Sequence, residues 1–211
     1  MHRYRILFLI ISTCTAITLA SCGTVRTVDG FAKTEAKKDT YTATYFSDAA
    51  TDYVYKMNIA VYGNEFGGIL IIKKTGDVTH RVAFTTDFGN KLFDLEFTGN
   101  DFKVNYIIEE LDRKMIVNTL RDDFKLLLKK DHDIDEGYHN EEFTVYKTKD
   151  DKRFNYLFLD KDANLRKMVH ATKRKEKVVF TYVPAGQTLA QNIIIDHKNI
   201  KLKIELNYIN Q

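Results

Sequence analysis

The side chain best placed for chemistry in this sequence is the thiol of Cys22, which closes the stretch Leu19-Ala20-Ser21-Cys22. Before it stand His2, Arg3 and Arg5, then the apolar run Ile6-Leu7-Phe8-Leu9-Ile10-Ile11, continuing through Ala16, Ile17 and Leu19. A positive start, a short apolar core and small residues before a break are the parts of a secretory signal peptide. Small residues fit a peptidase groove that larger side chains would block. A cysteine directly after the cut leaves a thiol that can carry a lipid as a thioether. The run is shorter than the ~20 apolar residues of a membrane span, and Ser12, Thr13, Thr15 and Thr18 dilute it.

The remaining reactive side chains form no catalytic pattern. There is no Gly-x-Ser-x-Gly elbow, phosphate loop or His-Glu-x-x-His. His80, His132, His139, His170 and His197 are scattered and read as surface or strand-end residues. In 131–142, Asp131, Asp133, Asp135 and Glu142 match the spacing of calcium ligands. The sharp turn of such a loop needs glycine at the sixth position, where Glu136 stands, with Gly137 one residue late. The segment therefore reads as a solvated acidic loop, and neither a metal nor a cofactor is expected. Lys173-Arg174-Lys175-Glu176-Lys177 reads as a hairpin tip in water or as a contact for anionic head groups.

Leu19, Ala20, Ser21 and Cys22 resemble the lipobox of bacterial lipoproteins at all four positions. That resemblance implies a lipoprotein signal peptide over 1–21 and a Cys22 carrying several acyl chains, palmitate among them. A single chain holds weakly and two or more hold stably. Gly23, where retained lipoproteins carry Asp, implies an outer-membrane destination in the cell envelope.

The chain after the leader, Cys22 to Gln211, fits one domain with a sizeable core. The net charge of +3 falls to about +1 once Arg3 and Arg5 leave, which speaks against nucleic acid as a partner. Cys14 lies in the leader, so Cys22 is the one cysteine left and no internal disulfide can form. Tyr and Phe are plentiful and Pro184 stands alone, which favours strands.

Residues 22–40 are small and polar and read as a tether, with a short helix over Phe31–Lys38. From Tyr41 the period becomes two. Tyr53, Tyr55, Met57, Ile59 and Val61 mark a half-buried strand. Ile69–Ile72 after Gly67-Gly68, Arg81–Thr86, Phe93–Phe97 and Phe102–Ile108 follow between glycine turns, as a six-strand meander. Over Leu111–Lys130 the period becomes helical, with Ile116, Val117, Leu120, Phe124, Leu127 and Leu128 on one stripe and Asp112 as the expected N-cap. Six more strands lie between Phe143 and Tyr208.

These elements predict a mostly β, α+β fold over 41–211. It is a large curled antiparallel sheet or incomplete β-barrel, with one amphipathic helix covering the concave face. The order of tether, meander, helix and further strands resembles the LolA/LolB-like lipoprotein-localisation proteins, as does 88–97 followed by Gly99. The resemblance implies an apolar cavity that receives acyl chains, for which Phe93, Leu95, Phe97, Leu120 and Phe124 are the candidate lining. An apolar face at helical or strand spacing is more often plain filled core, so the same five residues also read that way.

Two functions follow. One is a carrier or receptor for acyl chains or lipoproteins, held on the membrane through Cys22. The other is a structural or accessory envelope lipoprotein with a filled core. An enzyme is not expected.

Overall fold

A computed structural model describes residues 27–36, 38–150 and 152–209. The leader and Cys22 lie outside the described residues. Fifteen strands and one helix make up the described chain. Strands β3 (Asp52–Val61), β4 (Asn64–Lys74), β5 (Thr79–Thr85), β6 (Lys91–Thr98) and β7 (Asp101–Ile107) form an antiparallel meander. It has five strands, not six, because Tyr41 belongs elsewhere. After helix α1 (Lys114–Leu128) come β8 (Asp131–Asp133), β9 (Glu136–His139), β10 (Thr144–Asp150), β11 (Arg153–Leu159), β12 (Leu165–Thr172), β13 (Glu176–Pro184), β14 (Ala190–His197) and β15 (Leu202–Tyr208).

The last strand, β15, pairs with β3 and joins the two halves into one thirteen-stranded sheet. Its edge strands are β7 and β1 (Ala32–Thr34), which do not pair, so the sheet curls without closing. Alternation in β3 turns Tyr53, Tyr55, Met57, Ile59 and Val61 into the concave side, where all are buried. On α1, Ile116, Leu120, Phe124 and Leu127 fall on one face and join the same core. Strand pairing puts the turns after β3, β5, β10, β12 and β14 at one end of the sheet, with the start of α1. The turns after β4, β6, β11 and β13 lie at the opposite end.

Several local expectations change. The segment Phe31–Lys38 is not a helix. Ala32–Thr34 is β1, paired with β9, and Phe31 stacks edge-on against Phe158 at 5.8 Å. The second half of the expected tether therefore packs on the sheet. The reason is a second, smaller core on the convex face, formed by Val145, Tyr156, Phe158, Val169 and Ala171. Val28 and Phe31 cover it.

The expected acidic loop is mostly strand. Strand β8 pairs with β2 (Thr40–Thr42), and β9 lies between β1 and β10. The hydroxyl of Thr42 donates to Asp131, while Lys33 and Lys147 pair with Glu136. Among the described residues no group of three or more potential ligands gathers to hold a metal.

Helix α1 is shorter than 111–130, and its N-cap is Arg113, extended at φ −111°, with no side-chain hydrogen bond. The amide of Asp112 donates to the carbonyl of Ile108 in the preceding turn. Strand β4 opens at Asn64, not Gly67, because Tyr62 and Gly63 both adopt positive φ and close a tight hairpin.

Candidate functional site

The concave face is not wholly filled. A cleft of about 810 Å³ runs beside α1. Its walls come from 43–47, from the ends of β4 to β7, from the exposed flank and C-terminus of α1, and from β10 to β14. Its apolar lining includes Tyr45, Phe46, Val78, Phe97, Leu126 and Val178.

The five residues expected to line a cavity pack mostly against one another. Phe93, Leu95, Phe97, Leu120 and Phe124 are all buried. The Phe124 ring lies 6.2 Å from both Phe93 and Phe97. They dock α1 onto β6, and of the five only Phe97 also reaches the cleft.

The cleft holds a polar cluster that the sequence did not reveal. Cross-strand register aligns Thr148 on β10, Asn155 on β11, His170 on β12, Val178 on β13 and His197 on β14 in one row. All five are inward residues of their strands, in step with the core residues Tyr146, Leu157, Met168, Phe180 and Ile195. The row is hydrogen-bonded. His170 Nδ1 lies 2.6 Å from Asn155 Oδ1, and Asn155 donates to Thr148 Oγ1 at 3.4 Å. Arg153 Nη1 lies 3.3 Å from His170 Nε2. A guanidinium only donates, so Nε2 accepts and the proton sits on Nδ1, facing the Asn155 carbonyl. Burial, reinforced by the Arg153 charge, pushes the His170 pKa down to about 4.

At the other end of the row, His197 Nε2 is 2.8 Å from Asp123 Oδ2 on α1, with both side chains buried. Burial pushes the Asp123 pKa up, and its hydrogen bond to His197 opposes the shift. The remaining cleft charges near the row are Asp122, Asp150 and Lys177. The arrangement supplies an apolar patch beside donors and acceptors of both signs. It lacks a hydroxyl or thiol held against a free imidazole. The clue in the sequence was parity: His170 and His197 continue the inward sets Met168 and Ile193-x-Ile195. It could be used only once the facing helix was known.

His132 is separate. It is buried beside Tyr41, with Nε2 3.2 Å from the Lys129 carbonyl and Nδ1 without a hydrogen-bond partner. Burial lowers its pKa to about 4. Among the described residues no helix is long and apolar enough to cross a membrane.

No protein-family model matches this sequence, and no curated protein sequence matches it. The shape does find counterparts. A LolA superfamily protein from Nitrosomonas europaea superposes with a TM-score of 0.53 at 10% identity, covering 80% of this chain and 88% of that one. A DUF1329 family protein from Desulfovibrio piger aligns at 9% identity over 75% and 84% of the two chains, but its TM-score of 0.38 carries no argument. The fold is LolA-like: a large, open antiparallel sheet with a helix on its concave side. At this identity the likeness is one of fold alone.

Proposed function

We propose that this chain is a bacterial envelope lipoprotein, anchored in the outer membrane through acylated Cys22, which receives an acyl chain or a lipoprotein's lipid in the cleft beside α1. It acts by binding and catalyses no reaction. One observation carries the reading: a cleft of about 810 Å³ stays open between α1 and the sheet of a LolA-like fold. Ligand sites commonly occupy ~300–1,000 Å³ and combine apolar lining with a few polar groups. The cleft's apolar residues suit the chain of such a ligand, and the Arg153, His170 and Lys177 end suits its polar head.

Native mass spectrometry of the purified protein tests this, together with titration by a fluorescent fatty acid. The expected result is a co-purifying lipid and a probe whose binding weakens in Thr119→Trp, which places an indole in the cleft from a partly exposed helix position. For the anchor, Cys22→Ser should abolish labelling by a palmitate analogue and leave the precursor uncleaved.

A second reading, a structural envelope lipoprotein without a small ligand, draws on the tight contact of Phe124 with Phe93 and Phe97. A wild-type protein that ignores the probe and carries no lipid would favour it.

A further inference from the structure

The hydroxyl of Thr27 donates to Glu176 Oε1 at 2.9 Å, beside the β12–β13 turn. Thr27 stands only five positions after Cys22. At ~3.3–3.6 Å per residue, the Cys22 Cα lies within about 18 Å of Thr27 whatever path the chain takes. Strand β3 alone has ten residues, or about 33 Å at the usual rise. Such a short leash cannot reach both ends of the sheet equally.

The turn it reaches is basic. Lys173, Arg174 and Lys175 stand exposed on the β12–β13 turn, and no ion pair engages them among the described residues. Lys177 and Arg153 carry positive charge from that turn into the cleft. The turn at the opposite end of β12 reads Asp160-Lys161-Asp162, and Asp160 is turned inward on its own loop amides.

We propose that the β12–β13 turn rests on the anionic phospholipid surface of the bilayer that holds Cys22, so that the Arg153–Lys177 end of the cleft opens toward that membrane. This rests on the anchored-lipoprotein reading above. Basic residues within a Debye length of an anionic leaflet are attracted to it, and the attraction weakens with salt. A lipid could then enter the cleft by its chain without crossing bulk water.

The full acylated protein, reconstituted in vesicles of phosphatidylethanolamine and phosphatidylglycerol, provides the test. Cys22 is blocked by lipid, so a cysteine introduced at Asp150, at the same end as the β12–β13 turn, or at Lys161, at the opposite end, takes a single fluorophore. A head-group nitroxide lipid should quench the Asp150→Cys probe several-fold more than the Lys161→Cys probe. Adding Lys173→Glu, Arg174→Glu and Lys175→Glu together should remove most of that difference while the protein stays in the vesicle fraction. Equal quenching at both sites, or stronger quenching at 161, overturns the orientation. So does a difference that survives the triple change. Intact mass is measured first. A processed chain with no acyl mass on Cys22 overturns the anchor and the orientation with it, whereas an acylated chain with equal quenching overturns the orientation alone.

Discussion

His197 Nε2 on β14 and Asp123 Oδ2 on α1 sit 2.8 Å apart, and both side chains are buried. This bond ties the helix to the C-terminal half of the sheet, while Phe124 ties it to β6 in the N-terminal half. The two attachments hold α1 across the concave face and leave the cleft beside it.

Removing one partner of a buried pair strands the other. Asp123→Ala should therefore lower unfolding free energy by ~3–5 kcal/mol. Asp123→Asn keeps a hydrogen-bonding group of the same shape and should lose only part of that. Denaturant titration of the two variants measures the difference. Equal losses would show that packing at position 123, and not the bond to His197, is what matters.

Leu120→Ala and Phe124→Ala should each cost ~2–5 kcal/mol, because both side chains are fully enclosed and their neighbours cannot collapse onto the hole. If either residue faced an open hollow, its loss would be milder. Thermal unfolding followed by circular dichroism reads this directly, since a loss of this size lowers the midpoint by many degrees.

Neighbouring glycines should respond differently. A Cβ at Gly68 would lie 1.9 Å from the Thr85 carbonyl oxygen, whereas one at Gly67 meets nothing within 4 Å. Gly68→Ala forces β4 away from β5 and should unfold or severely weaken the domain. Gly67→Ala should leave the midpoint nearly unchanged. Both are checked by soluble yield and melting.

Acid should weaken the fold in two stages. His132 and His170 have folded pKa values lowered to about 4 from 6.5. The unfolded chain takes up their protons first, so stability is full above pH ~6.5 and falls as pH drops toward 4. Each histidine contributes at most about 3.5 kcal/mol to that loss, since one pKa unit corresponds to ~1.4 kcal/mol. Asp123, whose pKa is raised, offsets part of it. Asp94 and Glu136 are held down to about 2, by the Arg81 guanidinium and by Lys147 respectively. Their contribution disappears only below pH ~4, the ordinary carboxylate range. Denaturant midpoints from pH 8 to 3 measure the profile. His132→Gln should flatten the step between 6.5 and 4, and an unchanged step would remove His132 from the account.

Much of the architecture was written in local patterns. Period-two alternation in β3, glycines at the meander turns and the stripe through Ile116, Leu120, Phe124 and Leu127 depend only on backbone geometry and on which face meets water. A curled antiparallel sheet with one covering helix follows from them. Tertiary structure decided what depends on distant partners. Ala32–Thr34 became a strand because β9 offered an edge and Phe158 a surface for Phe31. The acidic stretch became β8 because Tyr41 and its neighbours pair with it from about ninety residues away, and β9 because it lies between β1 and β10. The Thr148–Asn155–His170–His197 row exists only through the registers of five strands, and Asp123 meets it only because α1 crosses them. Sequence patterns report which way a side chain points relative to its own element. Which side chains share a buried space depends on pairing between elements, and that is settled when the sheet curls and the helix docks.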